Sequence, residues 1–159
     1  MKKAIFSGTF DPVTLGHMDI ISRSAKKFDK LIVAVIADDC VSTKMPANLR
    51  ITSVTAACAK LSNVDVVGFS GLLVDFAKSH EVTTLIRSLR SADDFQYEYR
   101  MALMNNAMQK QLETIFFMSD PKFTMISSTL VRQILSCNGE VKHFLPSETL
   151  QFLEGVQWR

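Results

Sequence analysis

The sequence predicts an α/β fold: a Rossmann-like, doubly wound, five-stranded parallel sheet with helices on both faces. Three observations carry this. Short apolar runs alternate with stretches whose apolar residues recur at spacings of three and four. The run "LIVAVIA" at residues 31–37 is continuous and rich in β-branched residues, as expected of a strand covered on both faces. Every connection between runs is long enough for a right-handed crossover. With 159 residues, 47% of them apolar, the chain suffices for one core, so residues 1–159 are expected to form a single domain.

In chain order, residues 3–7 read as a first strand, and Met18, Ile21, Ala25 and Phe28 mark the apolar stripe of the helix that follows. Residues 31–37 form the central strand. Leu49, Val54, Ala57, Cys58 and Leu61 suggest a second helix, and residues 64–69 a third strand. Helix, strand, helix and strand then follow at 72–78, 84–87, 93–109 and 114–118. Residues 127–135 offer a helix opened by hydroxyls, and "PSETLQFL" from Pro146 a last one with Ser147 as N-cap. In such sheets ligands bind beyond the carboxyl ends of the strands, where strand order reverses, so residues just after a strand are the functional candidates.

Composition removes several classes of function. The net charge of +2 gives no field for a nucleic-acid duplex or an anionic membrane, so any anion must be held locally. Cys40, Cys58 and Cys137 are odd in number, widely spaced and lack a CxxC pair, against a disulfide framework or a zinc site. The apolar start breaks off before Asp11, and the longest apolar run is too short to span a bilayer, so a cytoplasmic location is expected. No GxSxG elbow supports a serine hydrolase.

The chemistry concentrates in "FSGTFDPVTLGHMDII", residues 6–21. Gly8 follows the first strand, Pro12 fixes a turn, and Thr14 can cap a helix with Gly16 and His17 in its first turn. Free amides at a helix start favour a phosphate, yet the stretch fits neither GxGxxG nor GxxxxGK[ST]. A histidine joins the amides instead. On the TxGH tetrapeptide alone, a plain cap with a packed histidine is as good a reading.

Context decides between them. "GTFDPVTLGH" resembles the GxFDPxTxGH pattern of the nucleotidyltransferases, and "ISSTLVR" at residues 126–132 resembles their ISSTxxR signature. Between them "LIRSLR", "DDFQYE" and Asn105, and later "HFLP", resemble one branch, the phosphopantetheine adenylyltransferases, over nearly the whole chain. The resemblance implies adenylyl transfer from ATP to 4'-phosphopantetheine, with Mg2+ held mainly through the ATP phosphates, and a homohexamer. It implies His17, Lys44 and Arg90 as catalytic residues, and Thr9, Lys44, Leu73 and Arg87 as phosphopantetheine contacts. For ATP it implies Thr9, Phe10, His17, Ser88, Leu89, Arg90 and Glu98. A nucleotide-wrapping segment would add Phe123, Thr124, Met125 and Ile126, then Ser127, Ser128 and Thr129. The chain departs from the pattern at Ser7, where proline is usual, and at Leu15, Ser88 and Phe123. In "DDCVSTKMPANLRI" a gap puts the family's lysine on Thr43, and Lys44, the one basic residue between Lys30 and Arg50, is taken as its equivalent.

The residues suit that chemistry. A phosphate nucleophile is already ionised at neutral pH and needs no general base, so the task is to bring two polyanions together and neutralise the moving charge. His17 is read as a compact cation, Lys44 as a mobile one, and Arg87 and Arg90, both past the end of a strand, as planar forks for phosphate. The hydroxyls of Ser127, Ser128 and Thr129 would add donors. Met101, Met104 and Met108 read as core or subunit contact. Two rival functions share the fold: nucleotidyl transfer to another acceptor, such as nicotinate mononucleotide or a phospho-alcohol, and a non-catalytic nucleotide sensor.

Overall fold

The computed structural model describes residues 1–38 and 41–159. Cys40, one of the three cysteines read as neither a disulfide framework nor a zinc site, lies outside the described residues. Strands β1 (Lys3–Gly8), β2 (Lys30–Ile36), β3 (Val64–Phe69), β4 (Thr84–Leu89) and β5 (Glu113–Met118) form one sheet in the order β3-β2-β1-β4-β5. All pairings are parallel. Strand order reverses between β1 and β4, because β1 is followed outward by β2 on one side and paired with β4 on the other.

The pleat sorts each strand's side chains to two cores. Ala4, Phe6, Leu31, Val33, Val35 and Ile86 pack with Ile20, Ile21 and Ala25 of α1 (Leu15–Ala25) and with Val54 and Cys58 of α2 (Ala47–Cys58). Ile5, Ile32, Ala34 and Leu85 pack on the opposite face with Val74 and Ala77 of α3 (Leu73–Ser79). The helix α4 (Ala92–Met108) returns the chain to β5, and α5 (Ser128–Ser136) packs Val131 against Val141 and Leu145 in a smaller cluster. No helix among the described residues is long and apolar enough to cross a membrane.

Three readings need correction. The strand expected at 84–87 continues to Leu89, so Arg87 lies inside β4 and only Arg90 lies beyond it. The last helix is a 3-10 turn, Ser147–Leu153, whose N-cap is Pro146; the Ser147 hydroxyl donates to Glu148 instead. The stripe of Met101, Met104 and Met108 is not core, being 40%, 61% and 53% exposed. The Asp38 carboxylate accepts the Gly71 amide at 2.9 Å.

Candidate active site

A cleft of about 490 Å3 opens at the carboxyl ends of β1 and β4, where the strand order reverses. The turn after β1 forms one wall. The Phe10 ring is buried, edge-on to Phe6 and to His17, with centroids 5.8 and 5.0 Å apart. It reaches that position with φ +52°, a left-handed conformation that costs about 1–3 kcal/mol for a residue with a side chain. A Cβ on Gly8 would stand 3.0 Å from the tip of this ring, which is why glycine precedes the turn.

Thr14 caps α1 as its sequence position suggests, accepting the His17 amide on its hydroxyl at 3.4 Å. In return the Thr14 amide donates to His17 Nδ1 at 3.0 Å, a reciprocal capping box. A backbone N–H can only donate, so Nδ1 carries no proton and Nε2 carries it. Burial, then the Arg90 and Arg87 charges, lower the His17 pKa from 6.5 to about 4. The expected cation is therefore a neutral imidazole with one fixed donor.

The second wall comes from the start of α5, stitched to the first motif. Ser128 Oγ donates to the Pro12 carbonyl at 2.7 Å, and Arg132 donates to the Asp11 carbonyl at 2.6 Å. Ser127 caps α5 by accepting the Leu130 amide. The hydroxyl proton of Ser128 is thus committed inside the protein, contrary to its expected role as a free donor. Ser127, Ser128, Thr129 and Ile126 line the cleft. Phe123, Thr124 and Met125 do not line it: Thr124 Oγ1 donates to Asp120, and Met125 is 80% exposed.

The arginines stand between these walls. Arg87 is gripped at both ends, donating to the Glu98 carboxylate at 2.8 and 2.6 Å and to the Ser7 carbonyl at 2.8 Å. Ser7 Oγ adds a further acceptor at 3.2 Å, which the proline usual in the family could not supply. Arg90 is oriented by Asp94 at 3.2 Å. Thr9, Phe10, His17, Ser88, Arg90 and Glu98 all line the cleft, whereas the Leu89 side chain is buried and its carbonyl accepts the Ser119 amide. Beyond Arg87 and Glu98 a second lobe of about 300 Å3 shares their walls and runs along Leu73, Phe69 and Met101, a more apolar surface ending at Asn105 and Thr114.

Lys44 is not brought to the cleft. Its amide donates to Asp11 Oδ2 at 2.8 Å, but its exposed ammonium turns away to the Arg159 main-chain oxygen at 3.0 Å. Ser42 lines the cleft instead. The residues that sequence reasoning missed are mostly supports: Asp11, Asp94, Arg132 and Arg50. Arg132 closes the ISSTxxR motif, so its place there was the available signal; nothing in the spacing marks Arg50.

The comparisons with known proteins agree with this geometry. A family model described as cytidylyltransferase-like matches residues 5–134. A phosphopantetheine adenylyltransferase of Clostridium perfringens is 41% identical over 97% of this chain and 94% of its own. One of Campylobacter curvus is 43% identical over 97% of this chain and 99% of its own. A crystal structure of a candidate nicotinate-nucleotide adenylyltransferase from Vibrio parahaemolyticus superposes over the whole of both chains with a TM-score of 0.73 at 18% identity, a likeness of fold. With both motifs meeting at one cleft and near full-length identity on this scale, the chain belongs to the cytidylyltransferase-like family and, within it, to the phosphopantetheine adenylyltransferases.

Proposed function

We propose that this chain transfers the adenylyl group of ATP to 4'-phosphopantetheine, giving dephospho-coenzyme A and pyrophosphate in coenzyme A synthesis. The observation that carries the reading is the pair of joined lobes. One is lined by a histidine, three arginines, hydroxyls and a helix start, suited to a nucleotide's phosphates. The other is smaller and more apolar, suited to an uncharged arm leading away from a phosphate at Arg87. A sensor of ATP alone has no use for the second lobe.

The acceptor's phosphate oxygen attacks the α-phosphorus in line with the departing pyrophosphate oxygen; one P–O bond forms as the other breaks. His17 Nε2–H, fixed by the Thr14 amide, donates to a phosphate oxygen as charge shifts in the transition state. Arg90 faces the nucleotide phosphates and Arg87 the acceptor phosphate, each pre-oriented by its carboxylate. Lys44 would reach the phosphates only by leaving the Arg159 main-chain oxygen and swinging its exposed four-carbon stem toward the cleft.

For Mg2+, the carboxylates around the cleft are already engaged: Asp11 by two amides, Asp94 by Arg90 and Glu98 by Arg87. Among the described residues no group of three His, Cys, Asp or Glu could hold a metal. The donors fit a magnesium ion carried on ATP's own phosphates with its waters, where it would screen their charge. We also infer a homohexamer from the family resemblance; the exposed apolar face of α4 and β5, including Tyr97, Leu103, Met104 and Ile115, favours association between copies of the chain. The free thiols of Cys58 and Cys137 favour a cytoplasmic location. Mass-spectrometric product analysis with ATP, magnesium and equal concentrations of 4'-phosphopantetheine and nicotinate mononucleotide tests the function. Dephospho-coenzyme A and pyrophosphate are expected; exclusive formation of the dinucleotide would overturn the acceptor assignment.

A further inference from the structure

Arg50 has the largest of the fully buried side chains, 2% exposed; it does not line the cleft but borders a neighbouring pocket with Ser42, Thr43 and Pro46. From α2 its Nε donates to the Met45 carbonyl at 3.0 Å, and its NH1 donates to the Thr9 carbonyl at 2.7 Å and the Ile36 carbonyl at 2.6 Å. Those oxygens belong to the turn after β1, the end of β2 and the segment before α2. Asp11 makes the complementary connection, accepting the Met45 amide on Oδ1 at 2.9 Å and the Lys44 amide on Oδ2 at 2.8 Å. Met45, itself 1% exposed, is thus held by its amide on one side and its carbonyl on the other.

We propose that Arg50, with Asp11, is a positioning residue that locks the 42–45 segment to the Thr9 turn, so that the acceptor-phosphate contacts on both move as one unit. This rests on the adenylyltransferase reading for its substrates, though not for the lock itself. A planar guanidinium is required because three carbonyls from three segments converge on it; an ammonium of similar reach satisfies fewer of them in fixed directions. Of the ATP contacts, Thr9 and Phe10 share the locked turn, while those at 88–90 and 126–129 lie on elements that Arg50 does not touch. Loss of the lock therefore weakens the acceptor side more than the nucleotide side.

Two measurements test this. In the unaltered protein, the Lys44 and Met45 amides should exchange with solvent as slowly as amides of β1; exchange at open-loop rates overturns the lock whatever the protein catalyses. In Arg50→Lys, confirmed folded by circular dichroism at the assay temperature, KM for phosphopantetheine should rise about 10-fold and kcat fall up to about 10²-fold, the scale for a misplacement near 1 Å. The Kd for ATP should change far less. Kinetics per folded molecule equal to the parent's, or equal losses for both substrates, overturn the proposal. If the parent makes no dephospho-coenzyme A, the function falls while the exchange result still judges the lock.

Discussion

The turn that carries His17 and the segment that carries Lys44 face the same cleft, yet they are built differently. Around His17 every group is fixed locally: Thr14 caps and is capped, Gly8 leaves room for Phe10, and the imidazole tautomer follows from one amide. Around Lys44 only the main chain is fixed, by Asp11, while the ammonium rests on a distant carbonyl. A short, backbone-bonded donor is preorganised for charge stabilisation, whereas a long exposed cation must be recruited at the cost of its side-chain entropy.

If the preorganised side dominates, His17→Ala should show the largest effect, lowering kcat by about 10² to 10³ with a smaller change in KM. Steady-state kinetics check this, and near-normal kcat would refute it. Lys44→Ala should come next, reducing kcat by about 10- to 100-fold, with Thr43→Ala mild. Should Lys44→Ala turn over normally, recruitment does not occur and the contrast sharpens into a site that works without that cation. Arg87→Lys keeps the charge but loses the fork on Glu98, so calorimetry should show phosphopantetheine weakened by about 10-fold and ATP less. Equal losses would remove Arg87 from the acceptor side.

The smallest effect concerns protonation. With the folded pKa of His17 near 4 against 6.5 in the unfolded chain, the unfolded state binds more protons between those values. Stability from this group is complete above pH 6.5 and declines as pH falls toward 4. An NMR titration of the His17 ring in the free protein should have its midpoint near 4; one near 6.5 would restore the cationic reading.

Much of this was legible because the relevant signals are local. Strand periodicity and crossover length gave the sheet, and the rule of strand-order reversal gave the cleft between β1 and β4. Thr14 as a cap follows from residue type and spacing. The protonation of His17 did not follow, since it depends first on burial in the folded chain and then on Arg90 and Arg87, just beyond and within β4. The direction of the Lys44 side chain depends on Arg159, far away in sequence, and the grip of Glu98 on Arg87 needs α4 folded back over β4. Long-range partners of this kind leave no period in the sequence.

On the proposed function, the cleft aligns two phosphate-bearing substrates for one direct displacement, with His17 as a donor and never a nucleophile. The check is the stereochemistry of adenylyl transfer from ATP bearing a chiral α-phosphorothioate to 4'-phosphopantetheine. A single in-line displacement predicts inversion at phosphorus in the dephospho-coenzyme A product; retention would reveal an adenylyl-enzyme intermediate and rule out direct transfer.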